Sequence, residues 1–234
     1  MPTKLPAGEP FRAVLDDSLL RRSGLQTPGV DWRRDPLGPR FQTNFVRGQR
    51  FLQISAAMPG KDGAFRLAPV AFLHTPTPQK PGTEATAEVK TQYRVDADSS
   101  RLSLRAAQQM TRLRESLDLD PGGLQRHLIL AFDGGYTNAT VLKKIPARTT
   151  YAGRIRKDAK LCFTPDPDLM KPRGRRLRYG AAAPTPEELR TDDSVFWEEM
   201  TFAHSGVSHP LRYKRLRNAM WRAAGVEQIL QMCK

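Results

Sequence analysis

Three aspartates stand where they could do chemistry. Asp16 and Asp17 close the apolar run FRAVLDD (Phe11–Asp17), and Asp133 sits near the end of a second, HLILAFDGG (His127–Gly135). Short apolar runs bounded by polar groups predict buried strands. In a mostly parallel sheet, the C-terminal ends of strands line the crevice where ligands bind. Carboxylates delivered there by two neighbouring strands would share a hard divalent cation such as Mg²⁺, which takes oxygen ligands and keeps waters or phosphate oxygens in the rest of its shell. Two such ions about 3.5–4 Å apart clamp the attacking and leaving oxygens of an in-line phosphodiester displacement. The competing reading is a turn, since Asp before Gly134-Gly135 is a common turn former. Spacing alone leaves both readings open.

The charge balance points to a polyanion. The 234 residues carry 38 Lys+Arg against 24 Asp+Glu, a net charge of +14. Such an excess attracts nucleic acid, because each phosphate neutralised releases condensed counterions. The excess is concentrated rather than general background: Lys143, Lys144, Arg148, Arg154, Arg156, Lys157, Lys171, Arg173, Arg175, Arg176 and Arg178 crowd one stretch with few acids. Of these, Lys143, Lys144, Arg154, Arg156, Lys157, Arg173, Arg175, Arg176 and Arg178 are the expected phosphate contacts. Acids gather later, at Glu187, Glu188, Asp192, Asp193, Glu198 and Glu199, and read as a solvated, loop-like face. The two cysteines are too few for a disulfide framework or a four-ligand zinc site. The four histidines fall in no metal-ligand spacing. No run approaches the roughly 18 apolar residues of a membrane span, and MPTKLPAGEP has no apolar signal core, so a cytoplasmic protein is expected.

Positioning these groups requires a sheet. After the first strand, Gly24, Pro28, Gly29, Pro36, Gly38 and Pro39 predict an extended loop over Ser18–Asn44. Phe45–Ala57 and Arg66–Thr75 read as strands joined by a hairpin at MPGKDG, with Pro69 marking an edge or a bulge. Pro76–Thr91 reads as a mobile linker. Apolar spacings of three and four predict an amphipathic helix over Ser100–Leu117, capped by Asp98 or Ser99 and stopped near Pro121-Gly122. After the second strand come a helix over Tyr136–Ile145, capped by Thr137 or Asn138, and a strand over Thr149–Arg156, a βαβ unit. Beyond Asp158 a basic loop precedes a strand at Ser194–Ala203, and His209–Gly225 is ambiguous between strand and helix. Trp32, Trp197 and Trp221 could stack on bases, although packing in the core or a loop is the simpler role.

The motifs AVLDDSLLRRSGLQTPGVDWRRDPLGPRFQTNFVRGQRFLQISAA and HLILAFDGGYTNATVLKKIPARTTYAGRIRKDAKL resemble the DDE-type transposases of bacterial insertion sequences, over about Phe11 to Gly225. The resemblance implies an α/β fold, a ribonuclease H-like mixed sheet with flanking helices and part of a β-rich insertion. It implies a disordered N-terminus over residues 1–10, a partial catalytic core over 11–157, and a basic loop with a partial insertion domain over 158–234. In that family three acids hold two Mg²⁺ or Mn²⁺ ions, and DNA is cut at transposon ends and joined to a target. Asp17, which precedes the Ser/Thr of the first motif, corresponds to the first acid, with Asp16 as the alternative, and Asp133 corresponds to the second. DNA is the implied partner, with a homodimer in a synaptic complex and a nucleoid-associated bacterial location.

The third acid departs from the pattern. The resembled family places it as a Glu in Tyr-x-x-Arg-x-x-x-Glu on a helix after the insertion. Tyr151, Arg154 and Asp158 reproduce that spacing with Asp for Glu, but in a segment that reads as a strand. Glu227 lacks the Tyr and Arg partners. The expectation is therefore a transposase-like chain that is inactive alone, and the alternative is a non-catalytic, basic DNA-binding remnant.

Overall fold

The structure is a computed structural model that describes residues 8–24, 26–35, 37–39, 41–60, 64–166, 177–204, 206–222, 224 and 226–233. The chain forms two compact units. The first comprises residues 1–57, 67–133 and 145–152, and the second comprises 58–66, 134–144 and 153–234.

A six-stranded sheet organises the first unit. Its strands are β1 (Phe11–Arg21), β2 (Asp31–Arg34), β3 (Phe45–Pro59), β4 (Phe65–His74), β5 (Leu128–Phe132) and β6 (Thr149–Gly153). The order is β2-β3-β1-β5-β6, with β4 also paired to β3. The sheet is mixed, because β1 runs antiparallel to β3 and parallel to β5. Alternation along β1 buries Phe11, Ala13 and Leu15, and the register sets them against Leu128, Leu130 and Phe132 on β5 and against Ile54 and Ala56 on β3. Leu15, Ile54, Leu128 and Leu130 have no exposed surface, and each contributes about 1.5–3 kcal/mol by leaving water. Truncating any of them to Ala would open a cavity in the centre of the sheet.

Two helices belong to this unit, α1 (Ala87–Ser99) and α2 (Leu102–Asp118). α2 realises the predicted amphipathic helix, burying Ala106, Ala107, Met110 and Leu117. Its N-cap is Arg101, without a side-chain cap, rather than Asp98 or Ser99, which lie in α1. α1 corrects the linker expectation at its C-terminal end. Thr86 caps it by accepting from the Val89 N–H, yet the helix buries no residue, so no apolar period marked it in the sequence. Two further boundaries move. β1 continues to Arg21, and β2 forms inside the segment expected to be loop, because β3 is long enough to pair with both.

The second unit is built on a five-stranded sheet. It contains β7 (Leu161–Phe163), β8 (Ala182–Ala183), β9 (Glu198–His204), β10 (Val207–Trp221) and β11 (Val226–Cys233), in the order β11-β10-β7-β8 with β9 also on β10. Of the ambiguous segment His209–Gly225, residues 209–221 are strand, since β10 pairs with β9, β11 and β7. A register shift between Leu216 and Ala219 accommodates Asn218 at φ 55°, a left-handed conformation that Asn tolerates better than most residues. The expected helix over Tyr136–Ile145 shortens to α3 (Ala139–Leu142) behind a 3₁₀ turn at Gly134–Tyr136. Asn138 is its N-cap, accepting from the N–H groups of Thr140 and Val141 at 3.1 and 3.2 Å. The acids at 187 and 188 lie on α4 (Pro186–Thr191), where Thr185 and Glu188 form a reciprocal capping box. Glu198 and Glu199 lie on β9 and pair with Arg215 and Arg212 of β10. The acidic stretch is thus largely regular structure, not a loop.

Candidate functional site

Asp16 and Asp17 are interior to β1, not at its exit. Asp16 faces Gln53 and Asp17 faces Leu52 across the antiparallel pair with β3. On the other side the parallel register runs from Phe11↔Leu128 to Leu15↔Phe132. Asp16 and Asp133 are the residues that follow this last pair, Asp133 lying just beyond the C-terminal end of β5. Paired strands lie about 4.8 Å apart, so continuing this register past Leu15 and Phe132 would bring these aspartates to neighbouring positions. Both are exposed. Alternation separates Asp16 from Asp17: Asp17 continues the face of Leu15, and Asp16 continues the face of Val14. The Asp16 side chain accepts from the Asp17 backbone N–H at 2.8 Å. Among the described residues, no group of three His, Cys, Asp or Glu side chains converges to hold a metal ion.

Asp17 has a different environment. Its Oδ2 lies 3.3 Å from Arg50 Nε, and both side chains are about 30% exposed (28% and 31%). Arg50 sits on the same sheet face, opposite Leu19. Arg33 on β2 shares that face through its pairing with Val46, and its Nη2 donates to the Thr77 hydroxyl. Burial, and then the charge of Arg50, lower the Arg33 pKa from its ordinary value, while Asp31 and Asp17 pull the other way. Sequence reasoning passed over Arg33 and Arg50, because they lie outside the dense basic stretch. The signal available was the alternation in RGQRF, which sends Gly48 and Arg50 to one face and Arg47 and Gln49 to the other.

The path from the helix to Asp133 is held by a buried arginine. Arg114 of α2 has 5% of its side chain exposed and forms an ion pair with Asp118 at 2.7 Å. Its Nη1 donates to the Arg126 carbonyl at 2.8 Å, and its Nη2 donates to the Gly123 carbonyl at 2.8 Å. Asp118 also accepts from Arg148 Nη2 at 2.8 Å through both oxygens. This network fixes the connection between α2 and β5. Gly123 is required there, since a Cβ would run into the Leu117 carbonyl.

The expected phosphate contacts fall in the second unit. Lys143, Lys144, Arg154, Arg156, Lys157 and Arg178 are all exposed. Arg156 is partly engaged, donating to both carboxylate oxygens of Asp158 at 3.0 and 2.9 Å. Asp158 is exposed and its pKa is lowered, first by that hydrogen bond. Arg178 stacks its guanidinium 5.6 Å from the Tyr179 ring. Arg173, Arg175 and Arg176 lie outside the described residues. Trp197 lines an open cavity of about 550 Å³ with Arg190, Thr191, Asp193 and Arg212. Arg212 stands 5.5 Å and Lys214 stands 4.9 Å from its ring.

No helix of the described residues is long and apolar enough to cross a membrane. No curated protein and no solved structure matches the chain. A family of known proteins does: residues 3–227 match the family described as DDE superfamily endonuclease. The mixed sheet with its flanking helices and added β-rich sheet is the ribonuclease H-like architecture that the sequence motifs implied. Asp16 and Asp17 of β1 and Asp133 just after β5 fall within that match, and the chain belongs to the DDE superfamily endonuclease family.

Proposed function

We propose that this protein is a DNA transposase-like endonuclease that acts on phosphodiesters with Mg²⁺ or Mn²⁺ at Asp133 and the Asp16–Asp17 pair. The observation that supports the reading is the parallel register of β1 on β5, which ends at Leu15↔Phe132, one residue before Asp16 and Asp133, in a chain of the DDE endonuclease family. Two carboxylates on neighbouring strands suit a hard cation in donor type, leaving its other positions to waters and phosphate oxygens. When bound, such ions stabilise charge on the attacking and leaving oxygens. The protein's own part would be to keep the two carboxylates near one another, Asp16 held in the β1–β3 pair and Asp133 carried by the end of β5. Asp17 corresponds to the first acid by sequence motif, while the register favours Asp16 as the neighbour of Asp133. The exposed basic residues at 143, 144, 154, 156, 157 and 178 would track phosphates without reading sequence.

Because no third acid accompanies the Tyr and Arg of the family pattern, the chain alone is expected to cut transposon-end DNA slowly or not at all. Mn²⁺ titration of the purified protein, followed by calorimetry, tests the site independently of turnover. Binding that is weakened by Asp133→Asn and by Asp16→Asn, more than by Asp17→Asn, is the expected result. Unaltered Mn²⁺ binding in all three variants would overturn the site. Metal-dependent nicking that disappears in Asp133→Asn would overturn the inactivity. The alternative, a non-catalytic DNA-binding remnant, is favoured by the exposure of the basic residues. It predicts salt-sensitive DNA binding without any metal binding at the aspartates.

A further inference from the structure

We infer that Arg33 and Arg50 form an anion site on the face of the first sheet that carries Asp17, and that its ligand is a backbone phosphate of DNA. The register brings the two together. β3 pairs with β2 through Asp31↔Gly48 and Arg33↔Val46, and with β1 through Leu19↔Arg50 and Asp17↔Leu52. Residues 46, 48, 50 and 52 of β3 share one face by alternation, so Arg33, Arg50, Asp31 and Asp17 do as well. Gly48 stands between Val46 and Arg50 in that row. A Cβ there would meet the Leu20 carbonyl at 2.8 Å and Leu19 at 2.9 Å, so the position is packed too closely for a side chain.

Two arginines so placed are under-compensated. The Nε atoms of Arg33 and Arg50 are both buried and have no hydrogen-bond partner. Arg50 Nε is near Asp17 but not aligned to donate to it. Asp31 turns an oxygen to the Trp32 backbone N–H at 2.8 Å. The balance of burial and Arg50 over the two aspartates destabilises the charge of Arg33. A structural ion cluster would have closed these donors onto the carboxylates. Instead, Arg33 is held by its bond to the Thr77 hydroxyl and Arg50 stands beside Asp17, and a phosphate accepts from such planar forks through more than one oxygen. Family and charge then select the ligand: for a DDE superfamily endonuclease with a net charge of +14, the phosphates at hand are those of nucleic acid. The inference rests on the DNA-processing reading for the identity of its ligand.

The test is binding of a short labelled DNA duplex by fluorescence anisotropy, across about 50–200 mM salt. Wild-type affinity should fall steeply with salt. Arg33→Gln and Arg50→Gln should each weaken binding and reduce the slope of log K on log salt by about 0.9, so their loss across that range is roughly 3.5-fold smaller than wild type. Arg33→Lys and Arg50→Lys should keep the slope but bind more weakly, since an ammonium lacks the fork. Asp17→Asn should strengthen binding without metal, because it removes a competing anion. Folded Gln variants with wild-type affinity and slope overturn the site, as do variants that melt lower with an unchanged slope. If the Gln variants do not fold, wild-type affinity in both Lys variants overturns it. Wild-type protein that binds no DNA overturns the DNA reading and this inference together. Wild-type binding with unaltered variants overturns this inference alone.

Discussion

Replacing Arg114 by Met removes the fork that ties α2 to the chain entering β5 while keeping most of the side-chain volume. Three hydrogen bonds from a 5%-exposed guanidinium are lost, to the Arg126 and Gly123 carbonyls and to Asp118. Hydrogen bonds involving a charged group contribute about 1.5–3 kcal/mol each, and removing one partner of a buried ion pair costs about 3–5 kcal/mol. Two features place the cost at the lower end of that range. Asp118 keeps its two contacts to Arg148, and Arg114 Nε already lacks a partner. The expected loss is about 3 kcal/mol, which lowers the melting temperature by roughly 6–12 °C for a chain of this size. Urea denaturation of Arg114→Met, Asp118→Asn and the double variant measures both the cost and the coupling. A loss below about 1 kcal/mol in Arg114→Met, the level of an exposed ion pair, would refute the claim that this fork holds the entry to β5. If Asp133, which directly follows β5, holds metal as proposed, Mn²⁺ affinity should also fall in Arg114→Met under conditions where the protein is folded.

Other expectations concern the second unit. Lys214→Met strips the Nζ that donates to the Arg190 and Asp192 carbonyls at 3.2 and 2.6 Å; urea titration should show a loss of about 2 kcal/mol, with a change in Trp197 emission. Thr185→Ala removes the cap of α4 and should cost about 1 kcal/mol by the same titration. Glu188, exposed, has its pKa lowered by hydrogen bonds from the Thr185 backbone and side chain. A depressed carboxylate supports the fold above its unfolded pKa and ceases to as pH falls through the folded value, so acid melting of Glu188→Gln should be flatter than wild type below about pH 4.5. Gly123→Ala forces a Cβ into the Leu117 carbonyl and should lower stability by more than about 2 kcal/mol, as judged by thermal melting.

Much of the site-bearing sheet was legible from residue pattern, for physical reasons that also explain the failures. FRAVL and LILAF are buried on alternate residues in the sheet centre, so their apolar character reported the strands directly. The end of β1 was hidden, because Asp16, Asp17 and Ser18 have weak strand preference and are held extended by pairing with Gln53, Leu52 and Phe51, a long-range effect that local propensity cannot report. α1 was missed because it buries nothing. β10 read ambiguously because its exposed and half-buried positions carry Arg212, Arg215 and Arg217 among apolar neighbours, which blurs both periods. Residue type and position single out the aspartates as candidates. Their grouping was not legible, since the one-residue offset between Asp16 and Asp17 matters only once the register on β5 is known. Arg33 and Arg50 are 17 residues apart in the chain and meet only through β3.

The central place of β10 has a consequence for how the protein is made. Of the five strands in its sheet, β7, β8 and β9 emerge from the ribosome first, yet β7 and β9 take their pairing from residues 207–221. At about 5–20 residues per second, β7 waits several seconds for its partner after it is synthesised. During that interval Leu161 and Cys162, buried in the finished protein, are exposed beside the unpaired edge of their own strand. Nascent chains halted before residue 207 should therefore engage chaperones through this segment and release them once β10 has left the exit tunnel.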